Sequence, residues 1–336
     1  LIPTAPADHA PADLLLNDLV IRPGEQVLTR LAISKLPSGT VIDVPVHVFR
    51  SREPGPTVLL MAGMHGDEVN GIETIRRMIR RGQLQHPLRG TIIAIPILNI
   101  YGFLNFSREV PDGKDVNRSF PGSSRGSVAS RVAHRFVRDI LPLVDYGIDF
   151  HTGGASRFNH PQVRCLLGED PETDALAEAF AAPFTLHAAL RPGSLRQEAM
   201  QHQKRIIVYE TGESLRLHEE GIELATAGTF RVLKHLGLLA DAPEASGPSI
   251  LCRRHIWLRA KEAGLFRTPL RTGQYLEKGQ EYGVIADPYG ESASRLKSPI
   301  SGYIIGLNHM PVVNEGDALL HVAVELTEEV PPVDED

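Results

Sequence analysis

Two short stretches of this chain are almost wholly apolar: TVLLMA at residues 57–62 and TIIAIPIL at residues 91–98. Both are bounded by Gly, Pro or Asn, and continuous apolar runs of this length read as buried strands. Between them lies DEVNGIETIRRMIRR, in which Val69, Ile72, Ile75 and Ile79 recur every three or four residues. That spacing predicts a helix with one buried face and an arginine-rich outer face. Strand, helix, strand predicts a crossover unit in a largely parallel or mixed sheet, and so commits the chain to an α/β fold.

The alternation continues. Residues 127–141 read as a helix stopped by Pro142, and 144–150 (VDYGIDF) as a strand. Further strands are expected at 163–167 and 205–209, and further helices at 175–182 and 221–236. DAPEASGP, residues 241–248, has the small, acidic and Pro/Gly composition of a linker. Beyond it short β-like runs alternate with turn signals, and two halves resemble each other. One starts at Thr268 and carries the turn EKGQ, the other starts at Ser298 and carries NEGD, and each ends in an apolar strand. Such a repeat suggests a small pseudo-symmetric β-sandwich or barrel. The 336 residues therefore divide into an α/β unit, 1–245, and a β-rich unit, 246–336, in line with about 150 residues per domain.

Composition narrows the classes of partner. Lys and Arg total 35 against 41 Asp and Glu, a formal charge of −6. No basic excess points to nucleic acid or a membrane surface. No apolar run approaches the ~18 residues of a membrane span. The opening LIPTAPADHAPADLLLNDLV has acids and prolines but no basic leading region, unlike a signal peptide. It starts on Leu1 rather than Met, as it would if an upstream piece had been removed. Two cysteines, Cys165 and Cys252, make no disulfide framework, so a reducing cytoplasm is the expected location. A homo-oligomer is left open.

The chemistry concentrates in GMHGDEVNG, residues 63–71, which leaves one buried strand and opens the helix. A His-x-x-Glu spacing lets the His65 imidazole and the Glu68 carboxylate converge on one cation, and Gly63 and Gly66 allow a tight turn. Strand carboxyl ends are where open α/β sheets bind ligands. A catalytic zinc site needs a third ligand and an open position for water. His151, after the strand at 144–150, supplies one and completes a His₂Glu set. With 14 histidines in the chain, chance pairs are expected, and a lone His-x-x-Glu pair is more often a surface pair on a helix. The flanking glycines and the second strand-end histidine set this one apart.

Two more segments extend the pattern: DGKDVNRSFPG, residues 112–122, and VYETGE, residues 208–213. With them the chain resembles the succinylglutamate desuccinylase/aspartoacylase family, relatives of the zinc carboxypeptidases. The resemblance runs through His-Gly-Asp-Glu, Asn-Arg-x-Phe-Pro-Gly, a His after one strand and a Glu after another, in order from Gly63 to Glu213. It implies a carboxypeptidase-like mixed sheet flanked by helices in a catalytic domain over 1–245, with a smaller all-β, barrel-sandwich-like domain behind it. It implies one Zn²⁺ per chain held by His65, Glu68 and His151, with Glu210 as general base and acid. Asn117 and Arg118 match the pair that grips a substrate carboxylate, and Arg108 matches an arginine that polarises the scissile carbonyl. The residues themselves leave alternatives: Arg118 as partner of a structural carboxylate, Asn117 as a turn cap, Glu210 as a salt-bridge partner, and Glu213 as its rival for the base role. In the aspartoacylase branch the tail also lends a pocket tyrosine, for which Tyr275, Tyr282, Tyr289 and Tyr303 are all available. The tail also looks like biotinyl and lipoyl carriers, but Lys297 is not in a carrier-lysine setting.

The expected activity is zinc-dependent hydrolysis of a small N-acyl amino acid, with the layout most like the branch of N-acetyl-diaminobutyrate deacetylases. A metallocarboxypeptidase would use the same chemistry, but the 83 residues between Glu68 and His151 are fewer than usual there, and the β tail argues against it. A metal-bearing binding protein without turnover is the non-enzymatic alternative.

Overall fold

A computed structural model describes residues 12–35 and 38–325. Most of the N-terminal segment read above for a leader, and both outer ends of the two expected units, lie outside these residues.

The crossover unit forms as its pattern predicts. Thr57–Met61 and Thr91–Ile95 are parallel neighbours joined by the helix Val69–Arg80. Every residue of both strands is buried, because alternate side chains enter separate cores. Leu59 and Met61 join Ile93 and Ile95 against the helices Val128–Asp139 and Leu195–Gln201. Val58 and Leu60 face the helices Val69–Arg80, Pro171–Phe180 and Glu219–His235. The chain is thus a mixed α/β protein. Its central parallel block, Thr91–Ile95, Thr57–Met61, Tyr146–Gly153, Arg205–Glu213, gives way to antiparallel neighbours on both sides.

Several boundaries differ from the sequence reading. The strand expected at 144–150 runs Tyr146–Gly153, so His151 lies inside it rather than after it. The strand expected at 205–209 runs on to Glu213, with a register irregularity just past Glu210. Helix Val69–Arg80 starts one residue after Glu68, which occupies the cap position. Residues 241–248 form no regular element.

Beyond residue 248 every described element is a strand. Gly264–Arg267, Glu281–Ala286, Ala293–Lys297 and Val312–Val313 make a separate four-stranded sheet. The two repeat turns share one hydrogen-bond pattern. Gln280 N–H donates to Glu277 O and Asp317 N–H to Asn314 O, both at 3.1 Å. The first residue of each turn donates its own N–H to the side chain of the fourth. Gly279 and Gly316 have φ of 83° and 86°, which is why both turns carry glycine there.

The remaining late strands do not stand apart from the central sheet. Ile250–Arg259 pairs in parallel with Phe184–His187, then with Ala318–Glu325, which pairs with Gly302–Asn308. Gly302–Asn308 returns to pair with Arg157–Cys165, itself the neighbour of Phe184–His187. Five strands therefore close on themselves beside Arg205–Glu213. Phe184, Leu186, Cys252, Ile305 and Ala323 form an apolar cluster there.

Candidate metal centre and active site

The site forms on the sheet face covered by Val128–Asp139 and Leu195–Gln201, at the carboxyl ends of the parallel strands. After Met61 the chain turns through Gly63, whose φ of 59° would strain any other residue and where a Cβ would lie 2.9 Å from Ile97 Cα. The turn delivers His65 and Glu68 into the interior, 2% exposed each. Glu68 makes no side-chain cap to its helix. Its carboxylate meets His65 Nδ1 at 2.7 Å and His151 Nδ1 at 2.8 Å, and accepts the Thr152 N–H at 3.0 Å.

The two imidazoles are 5.0 Å apart between ring centres. Each is tied at its far nitrogen to a carboxylate: His65 Nε2 to Asp115 Oδ1 at 3.1 Å, His151 Nε2 to Asp149 Oδ2 at 2.9 Å. With Nε2 committed to these carboxylates, Nδ1 is the nitrogen that both histidines turn inward, and it becomes a ligand atom once its proton to Glu68 is given up. His65, Glu68 and His151 offer ligand atoms within 4.8 Å of one another, all buried. Two imidazole nitrogens and a carboxylate oxygen with carboxylates behind them suit a borderline-soft divalent cation. Burial disfavours charge on all three, yet their mutual attraction wins. His65 and His151 hold Glu68 well below the usual carboxylate range, while Asp149 and Glu68 raise His151 well above the usual imidazole value.

Glu210 stands in direct register with His151 on the adjacent parallel strand, so the two side chains share a face. Arg164 Nη1 lies 2.9 Å from one Glu210 oxygen, and Asn159 Nδ2 donates to the other. Its rival Glu213 is engaged elsewhere, with His309 Nδ1 at 2.6 Å and Arg216 at 3.5 Å. Arg108 reaches the His65–Glu68–His151 cluster: Nη1 donates to Glu68 Oε1 at 3.2 Å, while Nε and Nη2 bracket Asp115 Oδ2.

Arg118 and Asn117 sit in a short 3-10 turn capped by Asp115. Asn117 Oδ1 accepts the Leu195 N–H at 2.9 Å, so it caps a helix start while flanking the site. Arg118 is exposed and makes no ion pair within 4.0 Å among the described residues, although partial burial, Arg191 and Arg108 lower its proton affinity.

Sequence reasoning missed Asp115, Asp149, Asn159 and Arg164. Two of them had a signal. Asp149 precedes His151 by two on a strand, hence shares its face, and Asp115 lies inside the quoted DGKDVNRSFPG segment. Asn159 and Arg164 are brought in by strand pairing alone. Of the four tyrosines, Tyr282 is in the core of the tail and Tyr289 is 88% exposed, while Tyr275 and Tyr303 contact each other. Elsewhere in the tail Trp257 stacks on His321, with ring centres 4.5 Å apart.

A buried two-histidine, one-glutamate cluster on a mixed α/β sheet, with a strand-borne glutamate beside it, defines the class. The family model for the succinylglutamate desuccinylase/aspartoacylase catalytic domain matches residues 54–236, and the chain belongs to that family of deacylases. Across 305 residues it is 28% identical to the N-alpha-acetyl-L-2,4-diaminobutyric acid deacetylase of Halomonas elongata, covering 83% of this chain and 85% of that protein. The crystal structure of a succinylglutamate desuccinylase/aspartoacylase from Rhodobacter sphaeroides superposes with a TM-score of 0.81 at 27% identity, over 95% of this chain and all of that one. A product-bound ectoine utilization protein EutE (DoeB) from Ruegeria pomeroyi shares the fold, with a TM-score of 0.79 at 24% identity over 90% and 96% of the two chains.

Proposed function

We propose that this chain is a zinc-dependent hydrolase that cleaves the amide bond of a small N-acyl amino acid, of the N-acetyl-diaminobutyrate kind. The observation that carries the reading is the buried His65–Glu68–His151 set with Glu210 in register beside His151. The likeness to the Halomonas elongata deacetylase over most of both chains supports the substrate class. His65, Glu68 and His151 would hold one Zn²⁺ per chain. When bound, zinc supplies Lewis acidity and lowers the pKa of water toward neutrality.

The chain's own residues do the rest. Glu210 takes a proton from the attacking water and returns it to the leaving amine nitrogen. Arg108, anchored on Asp115, puts a fixed positive charge beside the scissile carbonyl oxygen, where negative charge develops. Arg118 grips the substrate carboxylate with its planar fork, joined by the amide nitrogen of Asn117, whose oxygen is already committed to Leu195. Asp115 and Asp149 keep both imidazoles oriented with Nδ1 inward. The layout is read as carboxypeptidase-like, with a catalytic unit over 1–245 and a β-rich unit over 246–336 that walls the pocket. No described helix is long and apolar enough to cross a membrane, and a cytoplasmic site of action fits two unpaired cysteines.

The test is a metal assay joined to hydrolysis of acetyl-diaminobutyrate, acetylaspartate, succinylglutamate and a blocked dipeptide, on wild type and Glu210→Ala. About one metal per chain and cleavage of an acyl amino acid by wild type alone are expected. Cleavage of the dipeptide only would transfer the site to a carboxypeptidase. Metal without any turnover would make it a binding protein, and no metal would end the reading.

A further inference from the structure

The two groups that hold Glu210 belong to neither the metal set nor the carboxylate-gripping loop. Arg164 and Asn159 lie on Arg157–Cys165, the strand shared by the central sheet and the closed five-strand ring. Between them they place one donor on each oxygen of the Glu210 carboxylate. Each carboxylate oxygen has a second lone pair, so a held Glu210 can still accept a proton.

The ring pairs with the strand that carries the holders, Gly306 standing opposite Asn159. Gln162, in register with Glu210, donates from Nε2 to Ile305 O at 3.3 Å, across to Gly302–Asn308. On the late strands His255 Nε2 lies 3.2 Å from His187 O. A carbonyl only accepts, so Nε2 carries the proton and His255 Nδ1 must accept from His321 Nε2–H, 2.9 Å away. Burial, then the charge of Arg164, push both imidazoles below their ordinary value, His321 far below. The guanidinium of Arg164 is the positive charge in contact with Glu210, at 2.9 Å. Arg196, also within electrostatic reach of Glu210, spends its Nη2 on the carbonyls of Ala188 and Ala189.

We infer that Arg164 and Asn159 are positioning residues for Glu210, carried on a strand that the ring pairs with on its other side. The inference rests on Glu210 being the proton-transferring group. A free glutamate samples several rotamers, and a base displaced by about 1 Å forfeits roughly a hundredfold in rate. The strand pairing that sets Glu210 beside His151 fixes only its backbone; Arg164 and Asn159 fix its end.

The experiment uses the full metal-loaded chain, with acetyl-diaminobutyrate as substrate and the variants Arg164→Ala, Arg164→Lys, Asn159→Ala and Glu210→Gln. Metal content and melting temperature are read alongside kcat and KM. Arg164→Ala is expected to lower kcat about 100-fold with KM within about threefold and metal retained. Arg164→Lys should fall between it and wild type. Millimolar guanidinium should restore part of the lost kcat in Arg164→Ala but none in Glu210→Gln. If Arg164→Ala does not fold, Arg164→Lys and Asn159→Ala carry the decision through the same split between kcat and KM. Wild-type kcat in the Arg164 and Asn159 variants, or a loss borne by KM alone, would overturn the inference while leaving the base assignment intact. Wild-type kcat in Glu210→Gln would instead remove the base assignment itself.

Discussion

Asp149 accepts the His151 Nε2–H at 2.9 Å while 1% exposed, and its other oxygen, Oδ1, has no hydrogen-bond partner among the described residues. That asymmetry makes two substitutions separable. In Asp149→Asn the amide oxygen takes over the bond to His151, and the NH₂ turns to the side where Oδ1 had no partner. Shape and bond survive, but the negative charge is lost. A hydrogen bond to a charged group contributes about 1.5–3 kcal/mol against about 1 for a neutral one. The expected loss is therefore about 1–1.5 kcal/mol, close to tenfold in metal Kd at ~1.4 kcal/mol per decade. In Asp149→Ala the bond goes as well, the ring can rotate, and the loss should approach a hundredfold. Zinc affinity by competition with a chromophoric chelator at pH 7 resolves these steps, with His151→Ala as the reference for a missing ligand. Asn and Ala variants that both bind within twofold of wild type, while His151→Ala does not, would refute the argument that the carboxylate sets the donor atom.

Other expectations follow from the same coordinates. Gly66→Ala should abolish metal binding, because the added Cβ would sit 1.8 Å from Gly102 C and 2.0 Å from Phe103 N, both backbone, and the turn bearing His65 must shift; metal content per chain is the readout. Asn117→Ala should cost about 1 kcal/mol in urea denaturation, since it leaves the Leu195 N–H without its acceptor. Burial pushes the thiols of Cys165 and Cys252 up to about 12. At pH 8 the folded chain should therefore resist a thiol reagent that labels both after denaturation. The sign carries over to stability. The unfolded thiols ionise first, so stability is lost as pH rises from about 9 toward 12, and urea midpoints over that range should fall.

The crossover unit was legible because its signals are local: apolar runs, a 3.6-residue period, and glycines where the chain turns. The buried His65–Glu68–His151 cluster was legible for the same reason, His65 and Glu68 sharing one turn and His151 lying on one strand. The antiparallel flank was not. Gln26–Lys35 and Val41–Arg50 carry polar residues among the apolar ones, and Pro45 lies inside the second strand. It is tolerated where that strand pairs with Gln26–Lys35 on one side, ahead of the stretch from His47 that also pairs with Thr91–Ile95. Asn159 and Arg164 were invisible for a different reason. Neither belongs to a motif, and only strand pairing brings Arg157–Cys165 alongside Glu210. His151 was identified but placed after its strand, because an apolar count stops where the polar functional face begins. The repeat in the tail survives in its turns, while the shared sheet that ties part of the tail to the α/β strands left no local trace.

The closed ring bears on the order in which the chain becomes competent. His65, Glu68 and His151, the ligands of the proposed metal site, are set by the sheet's parallel strands, and a folding chain can gather them once that block has formed. The ring is knitted by bonds such as the one between Gln162 and Ile305, 143 residues apart, and contacts of that separation are slow to form. On the proposed reading, a partly folded chain would thus capture its ion before the ring closes. Synthesis and refolding would pass through a loaded but inert species, and the rise of activity would report the last step of assembly rather than the arrival of metal.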